Sequence, residues 1–367
     1  MRNLRQLVAI AGCTLLIGAV AHAEDKGTAP AVNEDRLNIE SLRSLNAKGS
    51  YIHIIGRSLF LTPGAVLGRL KPQDAAAMRG GWFDLGADPA TPKQIGDSLP
   101  AAWDLVLVGD YAITCNYQKF LTVYDTRDHP WREAARLDMP SMTENIIARG
   151  NLAYVANHVA GLTIVDVSKP LKPVIVSNLN PNIDCDAVAL WHDTAVLYGH
   201  HESQIVLADI HDPAKPRQTG VCQLAPKIFN GGELEVENGF AYVTTKTGLV
   251  VVNVNEPANP ELVATVNLGA VAQDVILKDG YAFVAADERG VRVLDVSDPH
   301  KPVEVGHYQV GREFIALAVA VERAARVNTS GTAAATADYY VYVADMTGPA
   351  KVLVFHAPVR ASRGVDK

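Results

Sequence analysis

The residues best suited to chemistry lie in two short stretches, Asp184-Cys185-Asp186 and His200-His201-Glu202. Because histidine titrates near neutral pH, imidazoles beside carboxylates can donate and accept protons in a reaction. The same groups are ligands of zinc, manganese and iron, so a divalent metal is a second interpretation of this pattern. Its ligands would be Asp184, Asp186, His200 and His201. Adjacent histidines in an extended chain often point apart, which weakens the metal interpretation.

The composition is that of an ordered, mildly acidic chain. It has 367 residues, 48% hydrophobic and 20% charged, which is enough for two average domains or one large architecture. Lys and Arg total 33 and Asp and Glu total 40, for a net charge of −7. Without a basic excess to neutralise phosphates, nucleic acid is not an expected partner. The sequence contains no nucleophile elbow, phosphate-binding loop, HExxH or CxxC motif.

An internal repeat must position these side chains. Each copy is an apolar, β-branched strand followed by Asp or Asn and a turn rich in Pro, Asp and Ser. The polar anchors, 41 to 44 residues apart, are Asp84, Asp125, Asp166, Asp209, Asn253 and Asp295. Two strands precede each anchor strand and one follows, so a unit holds four strands, labelled a to d. Four-stranded units with this period are typical of a β-propeller, in which each small sheet is buried between its neighbours.

Counting the weaker copies at both ends predicts an all-β fold, a seven-bladed propeller of four-stranded antiparallel blades. The segment 36–45 resembles a strand d placed before the first strand a, so we expect it to complete the last blade and close the ring. The predicted propeller spans residues 36–358, between a linker at 24–35 and a polar tail at 359–367. The anchors themselves are expected to be structural, because a short carboxylate can hydrogen-bond backbone amides in a turn.

The N-terminus predicts export. Arg2 and Arg5 precede an apolar run, and Ala21-His22-Ala23 is typical of a signal-peptide cleavage site, which makes residues 1–23 the signal peptide. The apolar run is too short to span a membrane, so no transmembrane segment is expected. We therefore expect a periplasmic or extracellular protein, with a lipid anchor at Cys13 as the alternative. The three remaining cysteines are expected to be reduced and mostly buried.

Two segments carry a family resemblance. GLTIVDVSKPLKPVIV (161–176) and GVRVLDVSDPHKPVEVG (290–306) resemble the LVIVD repeat, named for its central strand. The resemblance covers roughly residues 80–310. It implies an exported bacterial or archaeal protein with a propeller similar to those of WD and YVTN repeats. It implies no particular activity, since propellers host many unrelated functions.

In a propeller, strand a is innermost, and the d–a and b–c connections lie on one face around the mouth of the central channel. Acidic residues open most of the a strands, at Asp104, Glu144, Asp184, Asp186, Glu233, Asp274 and Glu313. They form either a solvated, hydrogen-bonded ring or a site for a cation or a polyhydroxylated ligand. The irregular stretch 64–81 is expected to act as a lid that brings Lys71 and Arg79 over this mouth.

We expect the protein to bind a small molecule, glycan or protein at the mouth, without catalysis and as a monomer. The ligand-binding candidates, mostly from b–c connections, are His158, His200, His201, Glu202, Lys246, Asp287, Arg79 and Lys71. His200 and His201 are expected to be exposed, so replacing them would barely change stability.

Two alternatives remain open. The first is a lyase, isomerase or hydrolase with an acid–base or metal site in the mouth; its catalytic candidates are His200, His201, Asp186 and Glu144. The second is a scaffold protein of the cell envelope. No cofactor is expected apart from the divalent metal of the first alternative.

Overall fold

Short apolar runs of the repeat form strands throughout a computed structural model that describes residues 34–63, 79–86, 88–224, 232–311, 314–323 and 338–358. Within these ranges the regular structure is entirely β-strand, and no helix is present that has the length and hydropathy needed to cross a membrane. The predicted signal peptide, most of the predicted lid (64–78) and the predicted tail lie outside the described residues.

The strands form seven antiparallel sheets, one for each predicted blade. Blade 1 contains β3 (Tyr51–Ile55), β4 (Ser58–Thr62), β5 (Gly81–Asp84) and β6 (Lys93–Gly96). Blade 2 contains β7 (Asp104–Val108), β8 (Tyr111–Cys115), β9 (Phe120–Asp125) and β10 (Arg132–Asp138). Blade 3 contains β11 (Asn145–Arg149), β12 (Leu152–Ala156), β13 (Leu162–Asp166) and β14 (Val174–Leu179). Blade 4 contains β15 (Cys185–Trp191), β16 (Thr194–Gly199), β17 (Gln204–Asp209) and β18 (Arg217–Gln223).

The remaining blades complete the ring. Blade 5 contains β19 (Leu234–Glu237), β20 (Phe240–Thr245), β21 (Gly248–Asn253) and β22 (Glu261–Asn267). Blade 6 contains β23 (Asp274–Lys278), β24 (Tyr281–Ala285), β25 (Val291–Asp295) and β26 (Val303–Val310). Blade 7 contains β27 (Ala316–Arg323), β28 (Asp338–Asp345) and β29 (Lys351–His356). The predicted seven-bladed fold is confirmed.

N-terminal strands close the ring. Strand β2 (Ile39–Ser44) pairs antiparallel with β29 and supplies the fourth strand of blade 7, as predicted. Strand β1 (Glu34–Leu37) pairs with β26 and becomes a fifth strand of blade 6. This fifth strand was not predicted, and it begins inside the segment expected to be a linker. The two consecutive strands β1 and β2 therefore link blade 6 to blade 7.

The core lies between the blades, because each sheet buries both of its faces. Between blades 6 and 7, for example, Ile39, Phe283, Tyr339 and Phe355 form one cluster in which each residue is at most 2% exposed. Burial on both faces explains why middle strands such as β12 and β13 read as continuous apolar runs, whereas an outer strand such as β14 alternates.

The six repeat anchors fix the turn that follows each anchor strand. Every anchor side chain accepts a hydrogen bond from the backbone amide two residues later, as in Asp166 with Ser168 (2.8 Å) and Asp209 with His211 (2.9 Å). This is the geometry of an Asx turn, and the predicted structural role of the anchors is confirmed. Cys115, Cys185 and Cys222 are free and buried, also as predicted.

Candidate functional site

The seven a strands surround a central channel, a cavity of about 570 Å³ to which every blade contributes. Its polar lining includes Asp104, Glu233, Glu235, Asp274 and Lys278. Burial raises the pKa of Asp104 to about 7, that of Glu235 to about 8 and that of Asp274 to about 6. Burial also raises the pKa of Glu233, and the charges of neighbouring carboxylates act in the same direction. At neutral pH, Glu235 therefore keeps its proton for most of the time and Asp104 is about half protonated.

Two of the predicted acidic residues fasten one blade to the next. Asp104 of blade 2 accepts hydrogen bonds from the amide of Ile146 (2.9 Å) and the side chain of Asn145 (2.7 Å), both in blade 3. Asp274 of blade 6 accepts a hydrogen bond from the amide of Val319 (2.8 Å) in blade 7. These bonds support the hydrogen-bonded-ring interpretation for Asp104 and Asp274. Glu313 lies outside the described residues.

Three b–c turns place side chains at the mouth with one shared backbone geometry. Tyr117, His158 and Asp287 follow equivalent strand ends in blades 2, 3 and 6, and each has a positive φ, between 47° and 51°. In blade 3 the buried side chain of Asn157 holds the turn by donating to the carbonyl oxygens of Ser141 (2.7 Å) and Met142 (2.9 Å). The same turn therefore forms in three blades with three different side chains at the positive-φ position, so the turn itself does not require a particular side chain there.

Eight side chains from blades 2, 3 and 4 converge above the channel, and we call them the mouth cluster. They are Tyr117, Glu144, His158, Asp184, Asp186, His200, His201 and Glu202. A backbone bridge between His158 and Cys185 joins the b–c turn of blade 3 to strand a of blade 4. This bridge brings His158 of one repeat unit next to Asp184 of the following unit.

His158 occupies the centre of the cluster. Its Nδ1 lies 2.7 Å from Oδ1 of Asp184, a close polar contact without hydrogen-bond geometry. Its Nε2 lies 3.5 Å from the hydroxyl oxygen of Tyr117 and 3.9 Å from Oε1 of Glu144. One imidazole therefore connects a carboxylate of blade 4 to polar groups of blades 2 and 3.

His200 and His201 lie together and contact the two aspartates that the sequence placed with them. Nδ1 of His200 is hydrogen-bonded to Asp186, and Nε2 of His201 lies 3.4 Å from Oδ2 of Asp184. The ring centroids of the two histidines are 3.9 Å apart, so the side chains do not diverge. The His201 side chain is 53% exposed as expected, but that of His200 is only 23% exposed. The expectation that His200 is an exposed loop residue was wrong, because Asp186 draws its ring into the cluster.

The cluster shifts the protonation of its own members. Burial raises the pKa of Glu144 to about 9, and the charges of Asp186 and Asp184 add to this effect. Burial lowers the pKa of His200, but the hydrogen bond and charge of Asp186 outweigh it, so the net shift is upward. At neutral pH, Glu144 is therefore a neutral carboxylic acid that can donate a hydrogen bond.

An aromatic arc extends the cluster toward blade 1, and sequence reasoning missed it. It consists of Tyr51, Trp103 and Tyr117, all half-buried, with centroids 6.0 Å apart between the first two rings and 5.0 Å between the last two. The Nε1 of Trp103 is buried and has no hydrogen-bond partner among the described residues. The sequence prediction rested on the acidic residues at the beginning of the a strands. Including aromatic residues there would have found Tyr51 and Trp103.

Three other predicted binding residues, Asp287, Lys246 and Arg79, are not members of the mouth cluster. Asp287 is buried and accepts a hydrogen bond from Gln273 (2.9 Å) in its own blade. Lys246 and Arg79 are exposed, and no contact joins either of them to the cluster within the described ranges. Lys71 lies outside those ranges. Their predicted roles stay predictions.

The metal interpretation gains no support from the geometry. In the described parts of the chain, no group of three or more His, Cys, Asp or Glu side chains is arranged to hold a metal ion. Asp184 and Asp186 instead contact imidazole nitrogens of His158, His200 and His201.

Comparisons with known proteins agree with this architecture. The LVIVD repeat matches residues 140–180, 231–268 and 269–310. No curated protein matches the chain significantly. Among solved structures, the β-propeller domain of Myceliophteria thermophila Cps50 is 8% identical, with a TM-score of 0.60, and the match covers 86% of this chain and 99% of that domain. The WD40 domain of Toxoplasma gondii coronin is 9% identical, with a TM-score of 0.57 and coverage of 91% and 88%.

A periplasmic gluconolactonase of Pseudomonas aeruginosa is also similar. It is 15% identical, with a TM-score of 0.56, and the match covers 73% of this chain and 89% of that protein. At such low identity these likenesses show the fold alone.

Proposed function

The chain carries LVIVD repeats on a seven-bladed β-propeller, and we propose that it binds a small polar ligand in the mouth of its channel, at the mouth cluster. One observation carries the proposal. Eight polar side chains from three blades converge where the repeat itself requires none of them. Convergent polar groups at a concave site are a common feature of ligand-binding pockets.

The arrangement suits binding because the groups are held in place before a ligand arrives. Glu202 accepts a hydrogen bond from the amide of Asp184 (2.9 Å), and Asp186 accepts one from the amide of His200 (3.2 Å). Side chains fixed in this way lose little conformational freedom on binding, which favours affinity.

The test is a thermal-shift screen with a library of sugars, polyols, amines and amino acids, followed by calorimetric titration of the compounds that stabilise the protein. We expect His201→Ala to weaken binding strongly. His211→Ala is the matched control, because His211 also belongs to blade 4 but follows the opposite end of β17 and is largely exposed. If both variants bind equally well, the ligand site is not the mouth cluster.

A second candidate function is acid–base catalysis, and the position of Glu144 favours it. A neutral carboxylic acid lies 3.9 Å from an imidazole that Asp184 orients, and such pairs can act as proton donor and acceptor. Catalysis would appear as conversion of a bound library compound, followed by NMR, and Glu144→Gln would abolish conversion while reducing binding far less, because the glutamine amide can still donate a hydrogen bond. Binding without conversion of any compound would contradict this candidate.

We also propose that the protein is exported after cleavage before Glu24. The basic residues, apolar run and Ala-His-Ala sequence at the N-terminus support this proposal. Mass spectrometry of the protein recovered from the periplasm or medium should give Glu24 as the first residue. A lipid on Cys13 would contradict it.

A further inference from the structure

We propose that the ligand of the mouth is a neutral sugar or a closely related polyol. In this proposal one side of the sugar ring packs on the aromatic arc, and its hydroxyl groups bond to the mouth cluster. This inference rests on the proposed function and names the class of compound that the same site takes. It draws on three features: the aromatic arc, the mixture of donors and acceptors, and the pairing of the cluster's charges.

The aromatic arc provides an apolar wall beside the cluster. The planes of Tyr51 and Trp103 differ by 27° and those of Trp103 and Tyr117 by 19°, so the three rings are nearly parallel. Parallel rings in contact are about 3.5–4 Å apart, so these centroid distances imply lateral offsets of about 3–5 Å. The rings are therefore offset from one another rather than stacked centre over centre. A sugar ring has an apolar C–H face that can pack on such a surface.

The cluster offers hydrogen-bond donors and acceptors side by side. A sugar hydroxyl donates one hydrogen bond and accepts others, so it needs both kinds of partner. Asp184, Asp186 and Glu202 supply carboxylate acceptors, whereas the protonated Glu144 and the buried N–H of Trp103 supply donors. Because that N–H has no partner in the described protein, a ligand hydroxyl beside it would gain a hydrogen bond at little cost.

The pairing of charges disfavours an ionic ligand. Within the described ranges, every ion pair of the cluster joins a carboxylate to a histidine, and none involves lysine or arginine. Among the described residues, an anionic ligand would therefore approach the carboxylates of Asp184, Asp186 and Glu202 without a lysine or arginine to receive it. A cationic ligand would compete with imidazoles that already contact the same carboxylate oxygens. A neutral polyol avoids both costs.

Saturation-transfer NMR on the full chain tests the proposal, with D-glucose, D-galactose, D-mannose and cellobiose as probes and spermidine as the cationic comparison. We expect saturable transfer to at least one sugar and none to spermidine. Trp103→Ala should weaken sugar binding about tenfold or more, since a central aromatic residue commonly dominates a binding site. Trp103→Phe keeps an aromatic ring in the wall but loses the N–H and the second ring of the indole, so it should bind the sugar more weakly than wild type and better than Trp103→Ala.

Trp191→Ala is the matched control, because Trp191 ends strand a of blade 4 and does not line the channel. It should leave sugar binding unchanged. Absence of transfer to every sugar overturns the proposal. If spermidine binds instead and His201→Ala abolishes it, the mouth is a ligand site but the ligand class is wrong. If a sugar binds and neither His201→Ala nor Trp103→Ala weakens it, the site itself is wrong and both proposals fail.

Discussion

At neutral pH, Glu144 keeps a proton in the folded protein that it loses in the unfolded chain, and Glu144→Gln abolishes this difference. The ordinary pKa of 4.5 applies in the unfolded chain, whereas burial and neighbouring carboxylates raise the pKa of Glu144 to about 9 in the folded protein. Between these two values the folded state binds the extra proton. Its stability therefore falls as the pH rises from about 4.5 to about 9.

The structure sets the magnitude of this effect. One proton contributes about 1.4 kcal/mol of unfolding free energy per pH unit, and pH 7 lies 2.5 units above the ordinary value of 4.5. Glutamine has nearly the same shape and no titration. Relative to wild type, Glu144→Gln should therefore gain up to about 3 kcal/mol on going from pH 4.5 to pH 7.

Urea unfolding at a series of pH values between 5 and 8.5, followed by tryptophan fluorescence, measures the difference. The curves of wild type and Glu144→Gln should diverge steadily as the pH rises. Glu261→Gln is the matched control: Glu261 is exposed on β22, so this variant should run parallel to wild type. If Glu144→Gln also runs parallel, Glu144 is ionised in the folded protein, and its role as a proton donor is refuted.

Three further substitutions test the fold, each measured by urea or thermal unfolding. Asn157→Ala should cost about 2–4 kcal/mol, because it removes the donor to the buried carbonyl oxygen of Ser141 and to the half-buried one of Met142; an unchanged midpoint would contradict the role of the turn. Ile39→Ala should cost about 2–5 kcal/mol, against almost nothing for the exposed Leu42→Ala; equal effects would mean that β2 does not close the ring. Gly161→Ala should destabilise more than Gly150→Ala. Both glycines have a positive φ, but only at Gly161 would the new methyl meet a carbonyl oxygen, that of Leu179, at 2.4 Å; equal losses would contradict this close approach.

The sequence predicted the blades and their closure because both follow from a repeated physical requirement. An anchor such as Asp166 recurs because every blade needs the same turn, and the spacing of the anchors gives the number of blades. The fifth strand of blade 6 could not be found in this way. Strand β1 pairs with β26 only once in the molecule, so no repeat marks it.

The candidate site was predicted in part. Its blade 4 members stood out because Asp184, Asp186, His200 and His201 depart from the repeat, and the structure brings them together. The central position of His158 depends on the backbone bridge to Cys185, a contact between blades that no pattern within one blade contains. Likewise, Asp104 was grouped with the mouth acids, although it accepts hydrogen bonds from Asn145 and Ile146 of the next blade.

The most direct test of the account is a crystal structure of the protein with the tightest-binding compound from the library. We expect the compound in the channel mouth, within hydrogen-bond distance of at least two of Asp184, Asp186 and His201 and against the ring of Tyr117. A compound bound on the opposite face or at a blade edge, with the mouth cluster unchanged, would contradict the central claim.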